Sequence, residues 1–262
     1  MTQRIRGFIF DLDGTVYLGE QVIPGAVETI AAIRARGLKT VFISNKPLEP
    51  GRAYAEKLSR LGIPTAADEV ITSVNVLANF FQRTAPGARV FVIGEPPLID
   101  ELRQAGLKIS EEPTQIEYVI AAFDRTFDYR KWNIAFQAIK FHGAHFVATN
   151  ADQACPVDGG EIPDCAGIIA ALEATTGKKV EFVAGKPSPL IIQTAIERMN
   201  VRVEECLVVG DRLETDIAMG RAAGTRTALV LTGVTQRKHL SNAIVQPDYV
   251  LENIGELIEL VQ

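Results

Sequence analysis

The chain has 262 residues, 47% of them hydrophobic and 23% charged, with a formal net charge of −5 and a pI of about 5.4. That composition excludes a disordered chain and suffices for one sizeable core or two modest ones. The acidic balance argues against a general binder of nucleic acid or membrane surfaces, so an anionic ligand must be met by cations and N–H groups gathered locally. The three cysteines, Cys155, Cys165 and Cys206, form no C-x-x-C pair. They fit a reducing compartment and give no disulfide framework or zinc site. No apolar run approaches the ~20 residues of a membrane helix, and the first ten residues show no signal-peptide pattern. A cytoplasmic protein is expected.

Taken in order, short apolar runs at 7–10, 38–43, 88–93, 118–123, 145–149, 206–209 and 227–231 read as strands. Several are almost wholly apolar, as parallel strands buried on both faces are. Helical patterns lie between them at 26–36, 54–61, 74–83, 131–141, 168–175, 189–199 and 213–223. Gly37, Gly62, Gly143, Gly177 and Gly224 follow helix ends, where a left-handed cap is needed. The alternation predicts an α/β fold with a doubly wound parallel sheet. Polar strand ends occur early and late in the chain, and the middle lacks one until Thr149-Asn150. This predicts a core from 1–79 and 181–262 and an inserted α/β domain from 80–180.

The chemistry gathers at strand ends. Phe10-Asp11-Leu12-Asp13-Gly14-Thr15 follows the first strand directly, at the edge where open α/β sheets bind ligands. Two carboxylates one residue apart are poor core material, although a solvated turn with a helix cap would also use them. Three further segments add complementary groups: Ser44-Asn45 ending the second strand, Gly185-Lys186-Pro187 ahead of a helix, and Gly210-Asp211 with Thr215-Asp216 beyond a late strand. Each alone reads equally as a cap, a turn or a surface cation. Together they supply carboxylates, a hydroxyl, an amide and an ammonium. His142 and His145 lack a third ligand nearby, which disfavours a metal there.

The order D-x-D-G-T, S-N, K-P and G-D-x-x-x-T-D resembles the haloacid dehalogenase superfamily over essentially the whole chain. V-I-P-G-A, A-T-N-x-D and G-K-P-S-P make it similar to the NagD-like phosphatases with a class IIA cap. That resemblance implies a phosphoric monoester hydrolase acting through an aspartyl-phosphate on Asp11, with Asp13 as general acid and base. It implies Mg²⁺ held by Asp11, the Asp13 carbonyl and Asp211, with Asp216 in support. Ser44, Asn45 and Lys186 would hold the phosphoryl oxygens. The gap from Asp13 to Ser44 admits only a flap and one helix, whereas the gap from Ser44 to Lys186 admits a whole cap. The cap loop 149–156, with Asn150, Asp152 and Cys155, would bear on substrate choice. Pyridoxal-phosphate phosphatases of this family carry histidine where Cys155 aligns, which favours a small sugar or polyol phosphate, with p-nitrophenyl phosphate accepted in vitro. Lys46 departs from the more usual second asparagine. Pairing through the cap as a homodimer is a further implication. A phosphotransferase or mutase, and a pyridoxal- or nucleotide-phosphate phosphatase, are the alternatives; a signalling receiver fits neither the motif order nor the length.

Overall fold

Gly7–Asp11 is buried at all five positions, because the sheet continues on both sides of it and apolar layers cover both faces. The computed structural model describes residues 4–45, 50–157 and 160–260; Lys46 lies outside them. The chain divides into two compact units, one of residues 1–44, 51–71 and 187–262, the other of 45–50 and 72–186.

The first unit holds a six-stranded sheet ordered Tyr249–Leu251, Arg226–Val230, Cys206–Gly210, Gly7–Asp11, Lys39–Ser44 and Val70–Thr72. Gly7–Asp11 pairs in parallel with Cys206–Gly210 on one side and Lys39–Ser44 on the other. Phe8 stacks on Phe10 and Phe10 on Phe42, each at 5.9 Å between ring centroids. All three rings are fully buried, and each such burial is worth about 2–3 kcal/mol. Register then fixes the chemistry: Phe10 lies opposite Val209 and Asp11 opposite Ile43. Asp11, Ser44 and Asp211 therefore emerge together at the carboxyl ends of three adjacent strands. The expected strands and fold class are borne out, and the expected cap glycines all have positive φ. The short pair Tyr17–Leu18 and Gln21–Val22 forms a flap after Gly14, whose N–H donates to the Tyr17 carbonyl at 2.8 Å.

One helix differs from expectation. Residues 213–223 are not a single α-helix but a π-type turn, Leu213–Ile217, followed by helix Ala218–Ala223. Such wide turns occur frequently at functional sites, and this one carries Asp216.

The second unit has a five-stranded parallel sheet ordered Phe182–Val183, His145–Ala148, Tyr118–Ala121, Arg89–Ile93 and Lys108–Ile109. Ser73–Thr84, Pro96–Gln104, Tyr129–Phe141 and Cys165–Thr176 are its principal helices. Phe91, Ile93, Val119, Ile139, Phe146 and Leu172 belong to its core. The antiparallel pair Ala154–Val157 and Gly160–Pro163 lies beside this sheet in sequence and forms its own ladder. No helix among the described residues is long and apolar enough to cross a membrane.

A pH prediction arises in this unit. Arg125 donates from Nε and Nη2 to the two oxygens of Glu95, each at 2.7 Å. These bonds hold the Glu95 carboxyl below the usual carboxylate range. A depressed folded-state value means the contribution is complete above the unfolded carboxylate range and lost as pH falls through the folded value. The difference in urea midpoint between the wild type and Glu95→Gln should shrink toward zero as pH drops from about 6 to about 3. A difference that stays constant over that range would contradict the ion-pair explanation.

Candidate active site

Asp11 is 5% exposed, Asp211 1% and Asp216 fully buried. One ligand-capable oxygen from each lies within 4.8 Å of the other two, and among the described residues no histidine or cysteine joins the group. At that spacing, like charges repel by about 3 kcal/mol per pair at an effective dielectric constant of about 20. Local structure holds them in place despite that. The Thr15 hydroxyl donates to Asp11 Oδ2 at 3.2 Å. The Val234 N–H donates to Asp211 Oδ2 at 2.6 Å, and the Arg212 N–H to Asp216 Oδ2 at 3.1 Å.

Glycines make this crowding feasible. A Cβ on Gly14 would sit 2.7 Å from Asp211 Oδ2, and one on Gly210 2.3 Å from the Asp216 Cβ. Gly14 also has φ +87°, a conformation that L side chains rarely adopt. The result is a cradle of hard oxygen donors without nitrogen or sulfur. That chemistry fits a magnesium-sized cation rather than zinc.

Asp13 is half-buried two residues past Asp11, and its carboxylate is outside the three-aspartate group. Ser44 is 4% exposed at the end of the strand beside Asp11. Asn45, Asn150, Asp152 and Lys186 fall in the second unit, where hydrogen bonds connect them. Asn45 Nδ2 donates to Asp152 Oδ2, and Asn150 Nδ2 donates to the same oxygen, both at 3.0 Å. Cys155 is buried in strand Ala154–Val157, opposite Ile162.

The segment Thr232 to Thr235 was not among the sequence candidates, yet it encloses Asp211. The Thr232 hydroxyl donates to the Gly14 carbonyl at 2.6 Å, and the Thr235 N–H to the Asp211 carbonyl at 3.1 Å. A polar T-G-V-T following an apolar strand is the same signal that singled out Ser44-Asn45.

All three cysteines are free and buried. Burial pushes the Cys206 thiol up to about 12 and the Cys165 thiol upward as well. Alkylation of these two in the native protein should be on the order of a thousandfold slower than in denaturant, as read by mass spectrometry over time. Rapid native labelling of either would contradict their burial.

The buried carboxylate cradle thus lies at the carboxyl edge of a doubly wound sheet, where such sheets bind ligands. Residues 8–108 match the family model for haloacid dehalogenase-like hydrolases, and residues 183–257 match a HAD-hydrolase-like model. The sugar-phosphatase AraL of Bacillus subtilis (strain 168) is 38% identical over 98% of this chain and 93% of its own length. The 5′-nucleotidase YutF of the same organism is 32% identical over 98% of both. Among solved structures, the 4-nitrophenylphosphatase of Thermotoga maritima superposes with a TM-score of 0.92 at 36% identity over 98% of both chains. NagD of Escherichia coli K-12 gives 0.88 at 32% identity, over 97% of this chain and 98% of that one. A glycerol phosphate phosphatase of Mycobacterium tuberculosis, in complex with magnesium, gives 0.87 at 33% identity over 98% and 77%. The chain belongs to the haloacid dehalogenase-like hydrolases. Within them it is a NagD-like phosphatase, a phosphoric monoester hydrolase.

Proposed function

We propose that the protein hydrolyses a small sugar or polyol phosphate in the cytoplasm through an aspartyl-phosphate on Asp11. The observation that carries this reading is the buried Asp11, Asp211 and Asp216 cradle at the end of the central strands. An Asp11 oxygen attacks phosphorus, the bond from phosphorus to the ester oxygen breaks, and Asp13 gives that oxygen its proton. Asp13 then takes a proton from water as the water oxygen attacks the same phosphorus, releasing phosphate and restoring Asp11. Asp11, Asp211 and the Asp13 carbonyl would hold Mg²⁺, with Asp216 supporting. The ion supplies positive charge where a carboxylate must approach a phosphate dianion. The Ser44 hydroxyl, the backbone near Asn45 and the Lys186 ammonium hold the remaining phosphoryl oxygens.

Residues 80–180 are proposed as an inserted cap that selects the substrate and pairs two copies as a homodimer. The similarity to a sugar phosphatase supports a sugar phosphate, and the similarity to a 5′-nucleotidase keeps a nucleotide as the second reading. Phosphate release from sugar, polyol, nucleotide, pyridoxal and p-nitrophenyl phosphates, with and without Mg²⁺, tests the reading. Selective Mg²⁺-dependent turnover of a sugar or polyol ester is expected. Transfer to an added alcohol without free phosphate would replace hydrolysis by phosphotransfer.

A further inference from the structure

The Asn45 side chain grips the peptide of Lys186. Its Oδ1 accepts from the Lys186 N–H at 2.6 Å, and its Nδ2 donates to the Lys186 carbonyl at 3.0 Å. The other Nδ2 proton goes to Asp152 Oδ2 at 3.0 Å. An amide turned end for end keeps its shape but exchanges donor for acceptor. Turned over, its oxygen would face the Asp152 carboxylate and its NH₂ would face the Lys186 N–H. The Lys186 N–H and carbonyl favour this sense already, and the Asp152 carboxylate adds a second acceptor on the Nδ2 side that reinforces it and ties the amide down.

Asp152 is itself held. Asn150, 1% exposed, donates from Nδ2 to Asp152 Oδ2 at 3.0 Å and to Asp164 Oδ1 at 3.1 Å. The Thr149 hydroxyl donates to Asn150 Oδ1 at 3.0 Å. Asp164 is the N-cap of helix Cys165–Thr176, so the chain of bonds ends on a rigid element. Gly185 closes it from the other side. Its N–H donates to the Thr149 carbonyl at 2.8 Å, and a Cβ there would lie 2.4 Å from Asn45 Oδ1.

We propose that Asp152 is a positioning residue that acts through Asn45 to set the backbone, and hence the ammonium, of Lys186, rather than a contact to the organic part of the substrate. The inference rests on Lys186 as a phosphoryl-binding group. A positioning role predicts a loss that is blind to the leaving group, because every phosphomonoester presents the same phosphoryl oxygens.

The test compares the wild type, Asp152→Ala, Lys186→Met and the double variant on p-nitrophenyl, sugar and nucleotide phosphates. The Ki of inorganic phosphate is measured alongside. Asp152→Ala should lower kcat/KM by about 10–100-fold, by one common factor for every ester, and raise the phosphate Ki comparably. In the Lys186→Met background it should cost nothing further. Asp152→Asn, whose amide oxygen can still accept from Asn45, should recover part of the loss. It also carries the comparison if the alanine variant fails to fold. Losses that differ by about tenfold or more between esters with the phosphate Ki unchanged, or losses that multiply with Lys186→Met, would overturn the proposal. So would a variant as active as the wild type. The proposed function fails separately, if the wild type releases no phosphate; a fully active Lys186→Met would instead remove Lys186 as a phosphoryl-binding group and with it this inference.

Discussion

Asp11→Asn should lower kcat by roughly 10⁴-fold or more while leaving the fold intact. The amide keeps the shape of the carboxylate and can still accept from Thr15, whose hydroxyl lies 3.2 Å from Oδ2. What it loses is the nucleophile. Its surroundings should not suffer, because one of three crowded like charges is removed from a buried cluster. In EDTA the variant should therefore melt no lower than the wild type, which separates lost chemistry from lost structure. Activity within about tenfold of wild type would remove Asp11 from the reaction.

Gly233→Ala should have the next largest effect, on cation affinity. A Cβ at this position would lie 2.0 Å from Asp211 Oδ2 and 2.5 Å from its Cγ. Asp211 has little room to retreat, since it is 1% exposed and Gly14 packs close on it. The Val234 N–H also fixes the same Oδ2 at 2.6 Å. The added methyl must displace the carboxylate or the loop. The Mg²⁺ dissociation constant, read by calorimetry without substrate, should rise by about 10–100-fold. Overpacking should destabilise the fold by about 1–3 kcal/mol. Gly167→Ala is the control: nothing lies within 4 Å of a Cβ there, so cation binding should be unchanged. Unaltered Mg²⁺ affinity in Gly233→Ala would mean that Asp211 is not a ligand.

The parallel strands were legible because burial on both faces leaves nearly continuous apolar runs, as in Phe8-Ile9-Phe10 and Leu207-Val208-Val209. Edge strands of two or three residues, such as Val70–Thr72, Lys108–Ile109 and Tyr249–Leu251, are too short to show any period. Their pairing is set by the neighbouring strand rather than by their own residues. Helix Pro96–Gln104 was missed although proline at its first position is a start signal. The strand-end rule found Asp11, Ser44 and Asp211, and applied to Thr232 it would have found the loop that encloses Asp211. The bond from Asn45 to Asp152 joins residues 107 positions apart. No local pattern announces such a contact, so Asn45 read only as a phosphate ligand and Asp152 only as a specificity residue.

The most direct test uses Asp13→Asn with p-nitrophenyl phosphate and Mg²⁺. Nitrophenolate leaves without protonation, so the first displacement proceeds, while the loss of the general base slows attack by water. Rapid acid quench and peptide mapping should find one burst of nitrophenolate per enzyme and the phosphate bound to the peptide that contains Asp11. Phosphate on another residue, or neither a burst nor a labelled peptide when the wild type turns over, would contradict the account.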